Sequence, residues 1–189
     1  MRNRTSTCRP YWQHGLTLVE LLIAVTILAI VLAVALPSFQ SFAQSIRLRG
    51  AAFGFLETVH QARTEAIKRD LPEVSIKFLN TGGNWCYRVT DTPNACVSCD
   101  FSDQVNRCDV AGDGVIKGDD AGNYVGLAFQ PTYVDGVLTL SNRRGTMEAG
   151  NVAFSIGTDK QVQVKTSGVG RVRICVPNGY DGIFGVEGC

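Results

Sequence analysis

At 189 residues, 45% of them hydrophobic, the chain has room for one compact domain with a real core plus one long helix, and excludes two sizeable domains. Its formal charge of +1 conceals a division: the first 15 residues hold Arg2, Arg4 and Arg9 without an acid, leaving 15 basic against 17 acidic side chains. Within that remainder, residues 91–120 carry a net charge of −5 and residues 143–175 a net charge of +4, an asymmetry compatible with an anionic partner or with plain solvation.

The first predicted element is LTLVELLIAVTILAIVLAVAL, residues 16–36, which as a helix spans about 31 Å and matches the hydrocarbon core of a bilayer. It exceeds the apolar core of an ordinary cleaved signal, and its basic flank keeps the N-terminus cytoplasmic, so the rest of the chain lies outside. Glu20 is the anomaly, because an acid inside such a segment costs about 2.5–3.5 kcal/mol unless it sits shallow or finds a partner.

Gly15-Leu16-Thr17-Leu18-Val19-Glu20, behind a short basic leader, resembles the type IV pilin prepilin-peptidase motif, in which Gly precedes the cut and Glu is fifth in the mature chain. The resemblance implies cleavage between Gly15 and Leu16, N-methylation of Leu16, and pairing of the new α-amine with Glu20 during assembly. A carboxylate at that depth would attract the amine of a neighbouring subunit and set axial register. Pro37 falls where this family commonly carries a helix-kinking proline. The implied organisation is a leader over 1–15, a transmembrane helix over 16–36, an amphipathic continuation over 37–70 and an exported head over 71–189.

Beyond Pro37, Phe39, Phe42, Ile46, Phe53, Leu56, Val59, Ala62 and Ala66 recur at helical spacing up to about Arg69, predicting one face packed on the head, before Leu71-Pro72 ends the helix. The stretch Ala62-Arg63-Thr64-Glu65-Ala66-Ile67-Lys68-Arg69 resembles that of the GspH/FimT branch of minor pilins and pseudopilins. Its plain physical account is charge pairing, Glu65 with Arg69, on an exposed helical face. Alternation at 74–78, a turn at 81–84 and a partner run at 85–90 predict a hairpin. Further runs at 124–130, 134–140, 152–156, 161–165 and 171–176, joined by Gly-rich links, predict antiparallel sheets. The expected fold class is α+β, a long N-terminal helix packed on an antiparallel pilin-like head.

Residues 91–123 form an acidic, cysteine-rich insertion. Without Cys8 of the leader six cysteines remain, Cys86, Cys96, Cys99, Cys108, Cys175 and Cys189, compatible with up to three disulfides in about 15 connectivities. A zinc site on Cys86, Cys96, Cys99 and Cys108 is the alternative, disfavoured by a single CxxC and by export. Cys175 with Cys189 would close a terminal loop beside the basic strand. The run 109–120 resembles a degenerate EF-hand or dockerin-type loop, with Asp109, Asp113 and Asp120 as Ca²⁺ candidates. Ala111 and Lys117 stand at two ligand positions, so an acidic turn without a cofactor is the preferred reading.

A hairpin at 166–170 pairs the last two strands, with Val162, Val164, Val172, Ile174 and Val176 inward and Lys165, Arg171 and Arg173 on the opposite face. Gly170-Arg171-Val172-Arg173 resembles the C-terminal GRxR element of FimT-type pilins, a group with DNA-binding members, which makes DNA a candidate partner of those three cations. An edge strand kept soluble by its charges is the plainer account. His60 is the only histidine after the leader, and no nucleophile motif or phosphate loop occurs, so an enzyme is not expected. The expected function is a minor type IV pilin in pilus assembly or priming. Its partners would be other pilin subunits, the prepilin peptidase and methyltransferase, and the inner membrane. A DNA-uptake pilin and a type II secretion pseudopilin are the alternatives.

Overall fold

The computed structural model describes residues 17–100 and 108–189; Gly15, Leu16, the leader with Cys8, and residues 101–107 lie outside the described residues. The chain divides into two units, one ending at Ser41 and the other Phe42–Cys189, and a single helix, α1 (Leu18–Lys68), contributes to both. α1 ends because Asp70 takes a left-handed conformation (φ 50°). The Asp70 N–H then donates to Ile67 O at 3.3 Å and the Leu71 N–H to Ala66 O at 3.0 Å, the paired bonds of a Schellman cap.

Within Phe42–Cys189 the buried side of α1 is Leu48, Ala51, Ala52, Phe55, Val59, Ala62 and Ala66, each at most 1% exposed. This corrects the predicted stripe. Phe42, Ile46 and Phe53 are 52%, 54% and 44% exposed. Phe53 and Phe55 stand about 200° apart around the helix, so only one can face the head. The small alanines bring the helix close to the sheets, and Phe55 fills the space between them.

The strands are β1 (Glu73–Thr81), β2 (Asn84–Thr90), β3 (Gly118–Asp120), β4 (Ala128–Pro131), β5 (Val137–Ser141), β6 (Gly150–Ile156), β7 (Lys160–Thr166) and β8 (Val172–Cys175). Among the described residues they form two antiparallel sheets, ordered β3-β2-β1-β5 and β4-β6-β7-β8. The β1–β2 hairpin closes on Gly82 and Gly83, both at positive φ (62° and 88°), the conformation that matches strand twist in a two-residue turn. β4 and β5 begin later than their apolar runs. Gly126, Asp135 and Gly136 adopt positive φ, and the chain cannot stay extended through them. The acidic insertion, in turn, contributes β3 to the edge of the first sheet.

Phe55 joins the layers, with ring centroids 5.2 Å from Tyr87, 5.7 Å from Phe78 and 6.4 Å from Phe154. Trp85 stacks on Phe129 at 4.8 Å, and its indole N–H donates to the Leu127 carbonyl at 2.9 Å, so the one polar atom of the ring is satisfied in the core. The architecture is therefore α+β, a long N-terminal helix on antiparallel sheets.

Candidate assembly helix and basic strand

The helix starts where its sequence caps it. Thr17-Leu18-Val19-Glu20 has the T-x-x-E spacing of a capping box, and the Glu20 N–H donates to Thr17 Oγ1 at 3.2 Å. Periodicity and hydropathy do not report Thr17; the capping spacing does. Glu20 lies in the first turn, where a carboxylate favours the positive end of the helix dipole. After it, the large apolar side chains from Leu21 to Leu36 are all 46% exposed or more, and the most apolar window has a mean hydropathy of 2.9. A helix apolar all round and left exposed by the described residues calls for a bilayer or other helices around it.

In the head, the exposed cations converge by register. Lys165 of β7 lies directly across from Arg173 of β8, and Arg171 enters the same strand from the turn. All three are exposed. Arg173 is not a bare charge, since its Nη2 donates to Gly188 O at 3.1 Å and lies 4.0 Å from Glu187 Oε2. The C-terminal segment is held there by Cys175–Cys189 and by bonds from the Val176 N–H to Glu187 O and the Cys189 N–H to Val176 O, each 2.8 Å.

Spacing along the chain does not report that the turn holding Arg143, Arg144 and Gly145 packs against the turn that ends at Gly170. A Cβ on Gly170 (φ 80°) would sit 2.2 Å from the Gly145 carbonyl oxygen, so the 166–171 turn is pressed against the turn carrying the two arginines. Arg63 of α1 donates to the Gly170 carbonyl at the same junction. The glycine of the GRxR run thus has a packing reason of its own. No local pattern announces this neighbourhood, because Gly145 and Gly170 meet only through the fold.

The acidic insertion is stapled by two interleaved disulfides, Cys86–Cys99 and Cys96–Cys108, which leave no thiol among these four for zinc. Its three calcium candidates serve different groups. Asp109 Oδ2 accepts from the Gly114 N–H at 2.8 Å, Asp120 Oδ2 from Arg88 at 3.2 Å, and Asp113 Oδ2 from Lys117 at 2.9 Å and from Arg69. Among the described residues no three acidic, histidine or cysteine side chains are gathered as a metal site. The Glu65–Arg69 pair, expected on an exposed face, is instead covered by this insertion, leaving the Glu65 side chain 13% exposed. Arg69 reaches over it to the Val110 carbonyl at 3.1 Å.

A model of the prokaryotic N-terminal methylation motif matches residues 13–36, and the family model described as type II transport protein GspH matches residues 51–170, more than half of the chain. The chain belongs to the GspH family. It is a minor pilin or pseudopilin of a type IV pilus or type II secretion system. Neither a curated protein nor a solved structure matches it significantly. For this GspH-family pilin the methylation match spans the start of α1, and the GspH match begins at Ala51 on its buried face and ends at Gly170, before the cations of β8.

Proposed function

We propose that this GspH-family chain is a minor type IV pilin that primes or joins a pilus. It is cut between Gly15 and Leu16, methylated on Leu16 and anchored in the inner membrane until assembly. The observation that carries the reading is the lone carboxylate of Glu20 in the first turn of a helix with no other acid before Glu57. Cleavage would place a new α-amine four residues before Glu20, and the amine of an adjacent subunit offers its carboxylate a compensating charge. The test is Glu20→Ala, which should still insert in the membrane and be processed yet incorporate poorly into fibres. Normal incorporation would remove the assembly role and leave the anchor. Loss of function in secretion alone, with pili intact, would favour the pseudopilin alternative.

A second reading, nucleic-acid capture, is favoured by the Lys165–Arg173 cross-strand pair with Arg171 beside it. Strand geometry spaces Arg171 and Arg173 about 7 Å apart, suited to different phosphates of one strand. Gel shifts with the mature chain in detergent should give salt-sensitive binding that Arg171→Ala with Arg173→Ala abolishes. Binding that survives the double substitution would refute these residues, and no binding at low salt would refute the function.

A further inference from the structure

Disulfide pairing in the acidic insertion does not follow the order of the chain. Cys86 joins Cys99 and Cys96 joins Cys108, so each bond encloses one partner of the other, whereas Cys175 joins Cys189, the next cysteine along. Besides this interleaved set, the first four cysteines allow a consecutive set, Cys86 with Cys96 and Cys99 with Cys108, and a nested one, Cys86 with Cys108 and Cys96 with Cys99. Loop entropy does not select the native set. Closure cost grows only with the logarithm of loop length, and the native loops, with sequence separations of 13 and 12, are longer than those of the consecutive set.

What selects it is the fold, and the fold comes late. Cys86 lies in β2 opposite Asp120 of β3, and Cys86, Cys96 and Cys108 are all buried. β3 follows all four cysteines in the chain, as do β4 to β8. A head that crosses the membrane in sequence order behind an N-terminal anchor therefore presents these thiols before the strand that fixes their places. Cys96 is the first partner offered to Cys86. Correction then needs a thiolate, and the oxidised head has none: its six cysteines are all in disulfides, and Cys8 precedes the anchor.

We propose that the exported head is a substrate of a thiol–disulfide isomerase, a dithiol protein of the compartment outside the inner membrane, which converts consecutive pairing into the interleaved set. The proposal rests on the reading of residues 16–36 as an anchor with the head outside. The consecutive bonds are made by a thiol oxidase of that compartment, whose own disulfide takes up two electrons and two protons per bond formed. The isomerase thiolate attacks Cys96 Sγ, breaking the bond to Cys86 and leaving a mixed disulfide and a Cys86 thiolate. That thiolate attacks Cys99 Sγ, which forms the Cys86–Cys99 bond and expels the Cys108 thiolate. Cys108 then attacks Cys96 Sγ, forming the Cys96–Cys108 bond and returning the isomerase thiolate. As many disulfides form as break, and no electrons leave the head. Once β3 is seated on β2, burial of Cys86 and Cys96 closes both bonds to further attack.

The test follows the full chain after a brief isotopic pulse in bacterial cells with and without their disulfide isomerase. Thiols are trapped in acid and alkylated, and the pairs are identified by mass spectrometry of a nonreduced digest, with fragmentation between Cys96 and Cys99. Without the isomerase, the share of recovered chain carrying the interleaved set should fall about threefold or more, and the consecutive set should replace it. Cys96→Ser with Cys108→Ser leaves Cys86, Cys99, Cys175 and Cys189, whose native pairs are consecutive. In that variant the Cys86–Cys99 bond should form equally in both strains, whether or not the insertion folds. Undiminished interleaved pairing of the parent chain without the isomerase would overturn the proposal. A Cys86–Cys99 yield that still depends on the isomerase in the double variant would overturn interleaving as the cause. Alkylation of all six cysteines as thiols in both strains would instead place the head on the cytoplasmic side, removing the anchor reading and the proposal with it.

Discussion

Arg69 and Asp113, 44 residues apart in sequence, form an ion pair that ties the end of α1 to the acidic insertion. Arg69 Nε also donates to Glu65 Oε2 at 2.7 Å. The hydrogen bond from Arg69 is the main reason the Glu65 carboxyl is lowered from its ordinary 4.5, against the upward push of burial and with the charges of Lys117, Arg69 and Lys68 assisting. Burial raises the Asp113 carboxyl, but hydrogen bonds from Lys117 and the Val115 N–H and the charges of Lys117 and Arg69 outweigh it, leaving it lowered from 3.8.

Both folded-state values lie below the unfolded ones, so this stabilisation is fully present above about pH 4.5 and is lost as pH falls through the lowered values. Thermal melts should show a plateau near neutrality and a decline in acid. Asp113→Asn should lower the plateau and flatten the decline. Arg69→Met should lower the stability at neutral pH and remove the acid decline, measured by urea unfolding at several pH values.

Arg88 is the most deeply enclosed charge among the described residues of the head, its side chain 1% exposed. Its Nη1 donates to the carbonyls of Tyr87 at 2.9 Å and Asp119 at 2.5 Å, and its Nη2 to Asp120. Asp120→Ala strands this cation and should cost about 3 kcal/mol, whereas Arg88→Met removes the charge altogether and should cost less. The reverse order in urea unfolding would mean that the backbone carbonyls hold the guanidinium without the carboxylate.

Two glycines should respond oppositely to alanine. Gly50 lies in α1 with open space where a Cβ would go, so Gly50→Ala should stabilise by about 0.5–1 kcal/mol through helix propensity. Gly170→Ala adds a methyl 2.2 Å from Gly145 O at a φ of 80°, and should destabilise by about 2 kcal/mol or more. Melting temperatures shifting up and down respectively check both.

Cys175–Cys189, with a sequence separation of 14, should contribute about 3 kcal/mol by restricting the unfolded chain. The double substitution to serine should lower stability by that order and release the tail segment that occupies Arg173. Hydrogen exchange at the Val176 and Cys189 amides, both bonded across this junction, reads the release.

Millimolar Ca²⁺ should leave the melting temperature unchanged. Asp113 is already neutralised by Arg69 and Lys117, and Asp120 by Arg88, so an added cation must displace these partners. An upward shift that a chelator reverses would show that the loop rearranges to bind.

Much of the site was legible because its signals are local. Glu20 is conspicuous only against the apolar run around it, and the 166–170 hairpin follows from glycines between two alternating segments. Lys165 and Arg173 share a face by the two-residue period of strands. The insertion was less legible: its β3 is three residues long, Gly118–Asp120, too short to show a period, and it exists because β2 offers an edge. Val110 reads as part of an acidic loop, yet it is wholly buried at the end of α1.

By itself, then, the sequence determined the apolar span, its lone acid, the helix that follows and the alternation of the strands. Each depends on contacts within a few residues, and those repeat at 3.6 or at two. Tertiary structure alone decided which stripe of α1 is buried. Phe53 and Phe55 are equally apolar, and only Phe55 finds Tyr87, Phe78 and Phe154 arranged to receive it. It likewise set Gly145 against Gly170 and Phe184 beside Phe42, because such neighbours are chosen by the shape of the packed sheets and not by spacing along the chain.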